Sequence, residues 1–383
     1  MSNTSAAPLT FALIGCGRVS VKHLKAYFKN SENLRFVAIA DSNPDAPAKL
    51  FKDAGLSKSQ IRQLNDSVRI YTDYREMLET EKPDMTAITT PSGLHYRMAK
   101  DAMEAGSHLL LEKPMTMSSE EARSLYDISQ RTGRKIAMGH IYRYFPIVGL
   151  LQEDIRDGVF GDISHGSVLV RWGHDQAYYD QAPWRGTWKS DGGALMNQTI
   201  HALDLMCWLM GSPAVSAVSS IARRFHDIEA EDIGMGILQL ENGALCQIEG
   251  TTNTPTYRHE AAFQITGTKG SATLGLRKGI PFFDIRSANG RSLKSKYFRR
   301  QLKLSGWRAL LDFFNPHIGI YKDLIQAIRT NQNPIADAAA GYTSVDMILA
   351  LYLSAKDGRR VELPLTEEFC SENMAGFFEQ EMT

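Results

Sequence analysis

The sequence has no excess of charge of either sign. It carries 43 lysines and arginines against 43 aspartates and glutamates. That excludes the overall basicity of a nucleic-acid or membrane-surface binder, so any charge effect must be local. Cysteine is scarce as well. Cys16, Cys207, Cys246 and Cys370 lie far apart with no metal-ligand spacing, so no metal is expected and they read as buried thiols in a reducing compartment. Residues Met1 to Thr10 hold neither a basic start nor an apolar stretch long enough for export or membrane spanning, which makes a cytoplasmic protein the expectation. Repeats and low-complexity tracts are missing too. At 383 residues the chain is long enough for two domains.

What is present begins with Phe11-Ala12-Leu13-Ile14-Gly15-Cys16-Gly17-Arg18-Val19-Ser20, an apolar run, a glycine-rich turn and the start of a helical pattern. Gly15 permits the tight turn, and Gly17, lacking Cβ, lets backbone approach a pyrophosphate at the positive end of the helix. The third glycine of the dinucleotide fingerprint is Ser20, still small enough for fairly close helix packing. A second apolar run, Leu34 to Ala40, ends in Asp41, where a carboxylate accepts hydrogen bonds from both adenosine ribose hydroxyls. Asp41 would repel a 2′-phosphate, and no arginine follows to receive one, so NAD is expected over NADP. The other reading of Asp41 is a turn residue capping the helix after Pro44, but strand, loop, helix, strand and acid occur in the order a dinucleotide site expects.

From Phe11 to about Met138 short apolar runs alternate with helical stretches, which predicts a doubly wound parallel sheet of the Rossmann type over residues 1–138. Whether a C-terminal helix returns to this domain stays open. Two loops at the carboxyl edge of that sheet stand out: Thr90-Pro91-Ser92-Gly93-Leu94-His95 and Glu112-Lys113-Pro114. After Gly158 strands dominate, separated by turns such as Asn242-Gly243, which predicts an α+β domain over 139–383 with a large open, mainly antiparallel sheet. Its few helices can cover only one face, so the other is expected to meet a second subunit in a homodimer or homotetramer.

Lys113 follows a strand at the edge where a nicotinamide would lie. In Gly192 to Asp204, Asn197, His201 and Asp204 fall at i, i+4 and i+7, one face of a helix otherwise rich in apolar residues. Singly, Lys113 is a solvent lysine in a polar turn and His201 a hydrogen-bonded core histidine.

Together with Gly15-Cys16-Gly17-Arg18, the Thr90 to His95 loop, Glu112-Lys113-Pro114 and Gly358-Arg359-Arg360-Val361, this helix makes the sequence resemble the Gfo/Idh/MocA family of sugar and cyclitol oxidoreductases from Phe11 to about Pro364. The resemblance implies a Rossmann domain followed by an open-sheet domain. It implies an NAD site formed by Gly15, Gly17, Arg18, Val19, Asp41, Thr90, Pro91, Ser92, His95, Glu112 and Lys113, with Lys113 and His201 beside the nicotinamide. Many members carry aspartate where this chain has Asn197, which leaves His201 as the expected base and Lys113 as the cation that stabilises charge developing on oxygen.

The aromatic stretch before the helix, with Tyr179, Trp184 and Arg185, suits a pyranose with an anionic substituent. Read with the helix, it is closest to a branch acting at C3 of UDP-N-acetylglucosamine or its uronic acid. Between Arg277 and Arg308 ten basic residues face Asp284 alone, net +9, and some of Lys294, Lys296, Arg299 and Arg300 are expected at a substrate diphosphate. The competing view of this run is a solvated loop. An inositol or free-sugar dehydrogenase, an NAD-dependent glycosidase and a non-enzymatic NAD sensor remain as other readings.

Overall fold

The computed structural model describes residues 7–306 and 315–380. The chain divides into two compact units. The first comprises the residues up to Met115, Arg123–Tyr144 and the segment ending at Ala339. The second takes Thr116–Ala122, the stretch from Phe145 and the stretch from Ala340.

The first unit is built on strands β1 (Leu9–Ile14), β2 (Leu34–Ala40), β3 (Arg69–Tyr71), β4 (Met85–Ile88), β5 (His108–Leu111) and β6 (Ile136–Met138). Their order is β3-β2-β1-β4-β5-β6, and every neighbouring pair is parallel. Strands buried on both faces must be apolar there, as LTFALI and LRFVAIA are beyond the half-buried Thr10 and the exposed Arg35 near their starts. The strand order reverses between β1 and β4, which places a crevice at their carboxyl ends. The helix His317–Thr330 belongs to this unit. Its Ile318, Tyr321, Leu324 and Ile325 complete a core with Phe11, Leu13, Leu24 and Phe36, and each such side chain stabilises by about 1.5–3 kcal/mol on burial. A single cut at residue 138 is therefore too simple, because the sheet face left bare by the first 138 residues is closed by a helix from far downstream.

The second unit holds an eight-stranded sheet formed by β7 (Ile163–Trp172), β8 (Ala214–Ala222), β9 (Ile233–Leu240), β10 (Leu245–Thr251), β11 (His259–Gly267), β12 (Gly270–Arg277), β13 (Ile280–Ser287) and β14 (Val361–Glu362). The order is β13-β12-β11-β7-β10-β9-β8-β14. All its pairs are antiparallel except β7 with β10. On one face Leu238, Leu240, Cys246 and Ile248 are buried. On the other, Val218 (39% exposed), Met235 (50%), Ile237 (44%) and Leu245 (47%) line up through the pairs Val218–Ile237 and Leu245–Gln239. The helix Ala338–Asp357 is long and apolar enough to cross a membrane, yet 78% of its apolar window is buried within the protein. All four cysteines are free thiols.

The basic run is not a loop. Its first residues lie on β12 and β13, and Lys294–Ser305 is a helix. Trp307, Arg308, Phe313 and Phe314 lie outside the described residues.

Candidate functional site

In the first unit the glycine turn is fixed by backbone geometry. Gly15 has φ +92°, and a Cβ there would sit 2.8 Å from the Thr90 methyl and 3.0 Å from the Thr89 carbonyl carbon. Only glycine serves at such a position. Gly17 and Arg18 are exposed and Val19 half-buried, with the helix running from Ser20 to Lys29. Asp41 accepts from the Cys16 N–H at 2.7 Å and the Asn43 N–H at 2.9 Å, so it ties the glycine turn to the end of β2. These bonds hold the turn rather than cap the helix that follows, whose N-cap is Asp45, and each carboxylate oxygen that takes one bond retains acceptor capacity for a cofactor hydroxyl. An open Gly17, a positive-φ Gly15 and an acid at the end of β2 fit an adenine dinucleotide.

The two edge loops behave differently. Thr90, Pro91 and Ser92 are half-buried beside the turn. His95 is buried, its Nδ1 2.7 Å from the Pro114 carbonyl and its Nε2 2.9 Å from the Thr90 carbonyl. It joins the two loops and has no ring atom left for a cofactor contact. Glu112 is likewise buried, and Lys113 is half-buried. Burial would raise the Glu112 carboxyl, but hydrogen bonds from His23 and His317 outweigh it and hold the group well below the usual carboxylate range.

In the second unit the helix carrying Asn197 and His201 opens with a π-helical turn, Ala194–Thr199, and continues as an α-helix, Ile200–Met210. The simple i, i+4, i+7 face expected for Asn197, His201 and Asp204 is therefore altered at its start. Its N-terminal N–H groups are satisfied from beneath. Ala194 donates to the Glu231 carbonyl (3.0 Å), Leu195 to Glu231 Oε1 (2.8 Å) and Met196 to the Tyr352 hydroxyl (3.3 Å). Gly193 packs directly on Glu231, where any Cβ would collide. Burial pushes the Glu231 carboxyl up to about 8, so a neutral acid sits under the helix.

Asn197 and His201 are half-buried. The Asn197 amide donates to Asp191, whose other oxygen accepts from the Gly186 N–H at 2.8 Å. A buried carboxylate thus stands beside the asparagine. The Gln198 amide lies 3.3 Å from His174 Nε2, and His174 stacks on Tyr178 at 3.6 Å. The Arg185 guanidinium lies over Tyr178 (4.2 Å) and Trp184 (4.9 Å), and its buried Nε has no hydrogen-bond partner among the described residues. Tyr179 is spent structurally. It is buried, donates to Thr252 at 3.0 Å, and has its phenol pushed up by burial. His226 bridges Asp232 and the His174 carbonyl. Burial opposes its charge, but the bond to Asp232 prevails and raises it.

The basic run finds its acids within the protein. Arg300 bonds Asp154 at 2.6 Å and reaches Glu153 at 3.4 Å, Lys296 lies 3.6 Å from Asp154, and Lys294 lies 3.6 Å from Asp284. The expected diphosphate contact of Arg300 gives way to this pairing, while Arg299 is exposed.

Asp191, Glu231 and Tyr352 were not singled out in sequence, while His174 and Gln198 lay within the aromatic stretch and the helix read as a sugar site but were given no part of their own. Asp191 carried a signal too, since it directly precedes the glycine pair before the helix.

Residues 9–140 match the oxidoreductase family with an NAD-binding Rossmann fold, and residues 149–273 match the GFO/IDH/MocA C-terminal domain. The D-glucoside 3-dehydrogenase of Escherichia coli (strain K12) is 28% identical over 94% of this chain and 99% of its own. The WlbA dehydrogenase from Bordetella pertussis, solved in complex with NADH and UDP-GlcNAcA, is 30% identical, with 94% of this chain and 98% of that one covered and a TM-score of 0.82. The WlbA dehydrogenase from Chromobacterium violaceum, solved with the same two molecules, is also 30% identical, covering 95% and 98% with a TM-score of 0.81. The six-stranded parallel sheet, the open eight-stranded sheet and these matches agree: the chain belongs to the GFO/IDH/MocA family of oxidoreductases and uses NAD.

Proposed function

We propose that the chain oxidises a secondary hydroxyl, at C3, of a nucleotide-linked sugar. The observation that carries this is the 30% identity, over 94% of the chain, with an enzyme solved with NADH and UDP-GlcNAcA. NAD, held by the Gly15 turn, Asp41 and the Thr90 loop, supplies the hydride acceptor. His201 takes the hydroxyl proton on a ring nitrogen, as an imidazole does near neutral pH. Lys113 stabilises negative charge gathering on the oxygen. Asn197, with its amide oriented by Asp191, positions a sugar hydroxyl. Arg185, backed by Tyr178 and Trp184, suits an anionic group on the sugar through its unpaired Nε.

A second reading, C3 oxidation of a simple glucoside, is favoured by the match to the Escherichia coli enzyme. With three of the basic-run side chains paired to acids, that run no longer argues for a diphosphate. Incubation with NAD and either UDP-N-acetylglucosamine, its uronic acid or a methyl glucoside, read by mass spectrometry for loss of two hydrogens at C3, decides between them. Turnover of the glucoside alone overturns the nucleotide-sugar reading, and loss of the glycosidic bond without NADH accumulation overturns both.

The exposed apolar row of Val218, Met235, Ile237 and Leu245 suits a homo-oligomer formed through the open sheet, and the free thiols suit a reducing cytoplasm.

A further inference from the structure

The residues on either side of Lys113 are held by buried histidines that hydride transfer itself does not use. Glu112 Oε1 lies 2.9 Å from His23 Nε2 and 3.1 Å from His317 Nε2, and the two imidazoles meet edge-on at 4.7 Å. His95 holds the Pro114 carbonyl on the other side. Three separate elements are joined this way: the helix after the glycine turn, the end of β5, and the late helix His317–Thr330.

Counting donors assigns the protons. Asn315 gives its amide N–H to the Lys22 carbonyl at 3.0 Å, which turns its oxygen toward His317 Nδ1 at 3.2 Å. That oxygen and the Glu112 carboxylate only accept, so both ring nitrogens of His317 must carry hydrogen. His23 differs, because its Nδ1 faces the Tyr321 hydroxyl, which can donate, and burial lowers its tendency to protonate. His95 also faces two acceptors, but both are carbonyls, so of the three rings His317 alone combines acceptors at both nitrogens with a bond to a carboxylate.

Two imidazoles and a carboxylate are also a divalent-metal donor set. The separations of 2.9 and 3.1 Å are hydrogen-bond lengths, however, shorter than the roughly 3.3 Å edge of a tetrahedron built on 2.0–2.1 Å zinc bonds.

We propose that His317 is a positioning residue: as a buried imidazolium paired with Glu112, it fixes the strand end that carries Lys113 and so governs the rate of hydride transfer rather than the binding of NAD. This rests on the reading of Lys113 as the charge-stabilising group. Nitrogen-15 NMR of the imidazole rings at neutral pH, in the parent and in His317→Gln to assign the signal, is expected to show His317 protonated at both nitrogens. In single-turnover hydride transfer with UDP-GlcNAcA, or with a methyl glucoside if that is the sugar turned over, His317→Gln is expected to lose about tenfold or more with the Kd for NAD within about twofold. The double variant Glu112→Gln/His317→Gln, which leaves no buried charge unpaired, is expected to recover stability and part of that rate. A singly protonated His317, one bound zinc per chain, or an unchanged rate in His317→Gln while Lys113→Ala is slow overturns the proposal. Full activity of Lys113→Ala overturns instead the reading of Lys113 and leaves the NMR result standing.

Discussion

The carboxyl of Glu231 caps the helix that carries His201 by accepting the backbone N–H of Leu195 at 2.8 Å, although Glu231 is fully buried. Burial pushes this acid from its ordinary 4.5 to about 8, against the pull of Leu195 and the Tyr352 hydroxyl. Over that window the native chain keeps a proton that the unfolded chain has lost. Stability therefore falls as pH rises from 4.5 toward 8 and levels off above it, by up to a few kcal/mol at about 1.4 kcal/mol per pKa unit. Neighbouring Asp232, held down to about 2, acts with the opposite sign and outside this window, losing its contribution only in acid. Glu231→Gln keeps the shape and removes the titration, so urea midpoints of parent and variant should lie close at pH 5 and separate toward pH 8, as the parent alone loses stability. Parallel curves would remove Glu231 as the cause.

NAD should bind more tightly than NADP, and Asp41→Ala should narrow that gap by removing the repulsion of a 2′-phosphate. The same change deletes the acceptor for the Cys16 and Asn43 N–H groups, at about 1 kcal/mol each. Calorimetric titration of both cofactors checks it, and equal dissociation constants in the parent protein would refute it.

Lys113→Ala and His201→Ala should each slow hydride transfer about 10²-fold or more, the usual worth of a charge stabiliser or general base, with NAD affinity nearly intact. Stopped-flow appearance of NADH measures the step. His201→Ala within a few-fold of the parent would assign the base elsewhere, with Lys113 the first candidate.

Introducing aspartate at position 197 should not improve this enzyme. Asn197→Asp places a second carboxylate against Asp191, where like charges raise one of the two pKa values and the original hydrogen bond is lost. Turnover at neutral pH should drop about tenfold, and Asp191→Asn in the same chain should recover much of it by restoring an amide–carboxylate pair. A double variant no better than Asn197→Asp alone would show that the two positions do not couple.

Much of the parallel sheet was legible because strands buried on both faces write themselves as largely apolar runs, and Leu34 to Ala40, broken only by the exposed Arg35 and with Asp41 at its end, left little choice of register. β13 was not, since Gly279 and Pro281 at its start read as a turn and its remainder runs into the basic stretch. The π-turn at Ala194–Thr199 was invisible to a periodicity that assumes four-residue spacing. Glu229-Ala230-Glu231-Asp232 looks like a solvated acidic turn in sequence, yet two of its acids are fully buried, because their partners Tyr352, Leu195 and Asn253 arrive from distant segments. The basic run misled for the same reason, as Glu153 and Asp154 stand about 150 residues before it.

That His317–Thr330 packs in the nucleotide-binding unit has a consequence for biosynthesis. His23 and Tyr321 are in contact across 298 residues of chain. At roughly 5–20 residues per second, a ribosome takes about 15 s to a minute between them, and through that time the face of the parallel sheet meant for Tyr321 and Leu324 is open. The first unit to emerge is thus among the last to close. Until it does, the nascent chain offers a chaperone an apolar surface, and the strand end bearing Lys113 waits for the residue that anchors it.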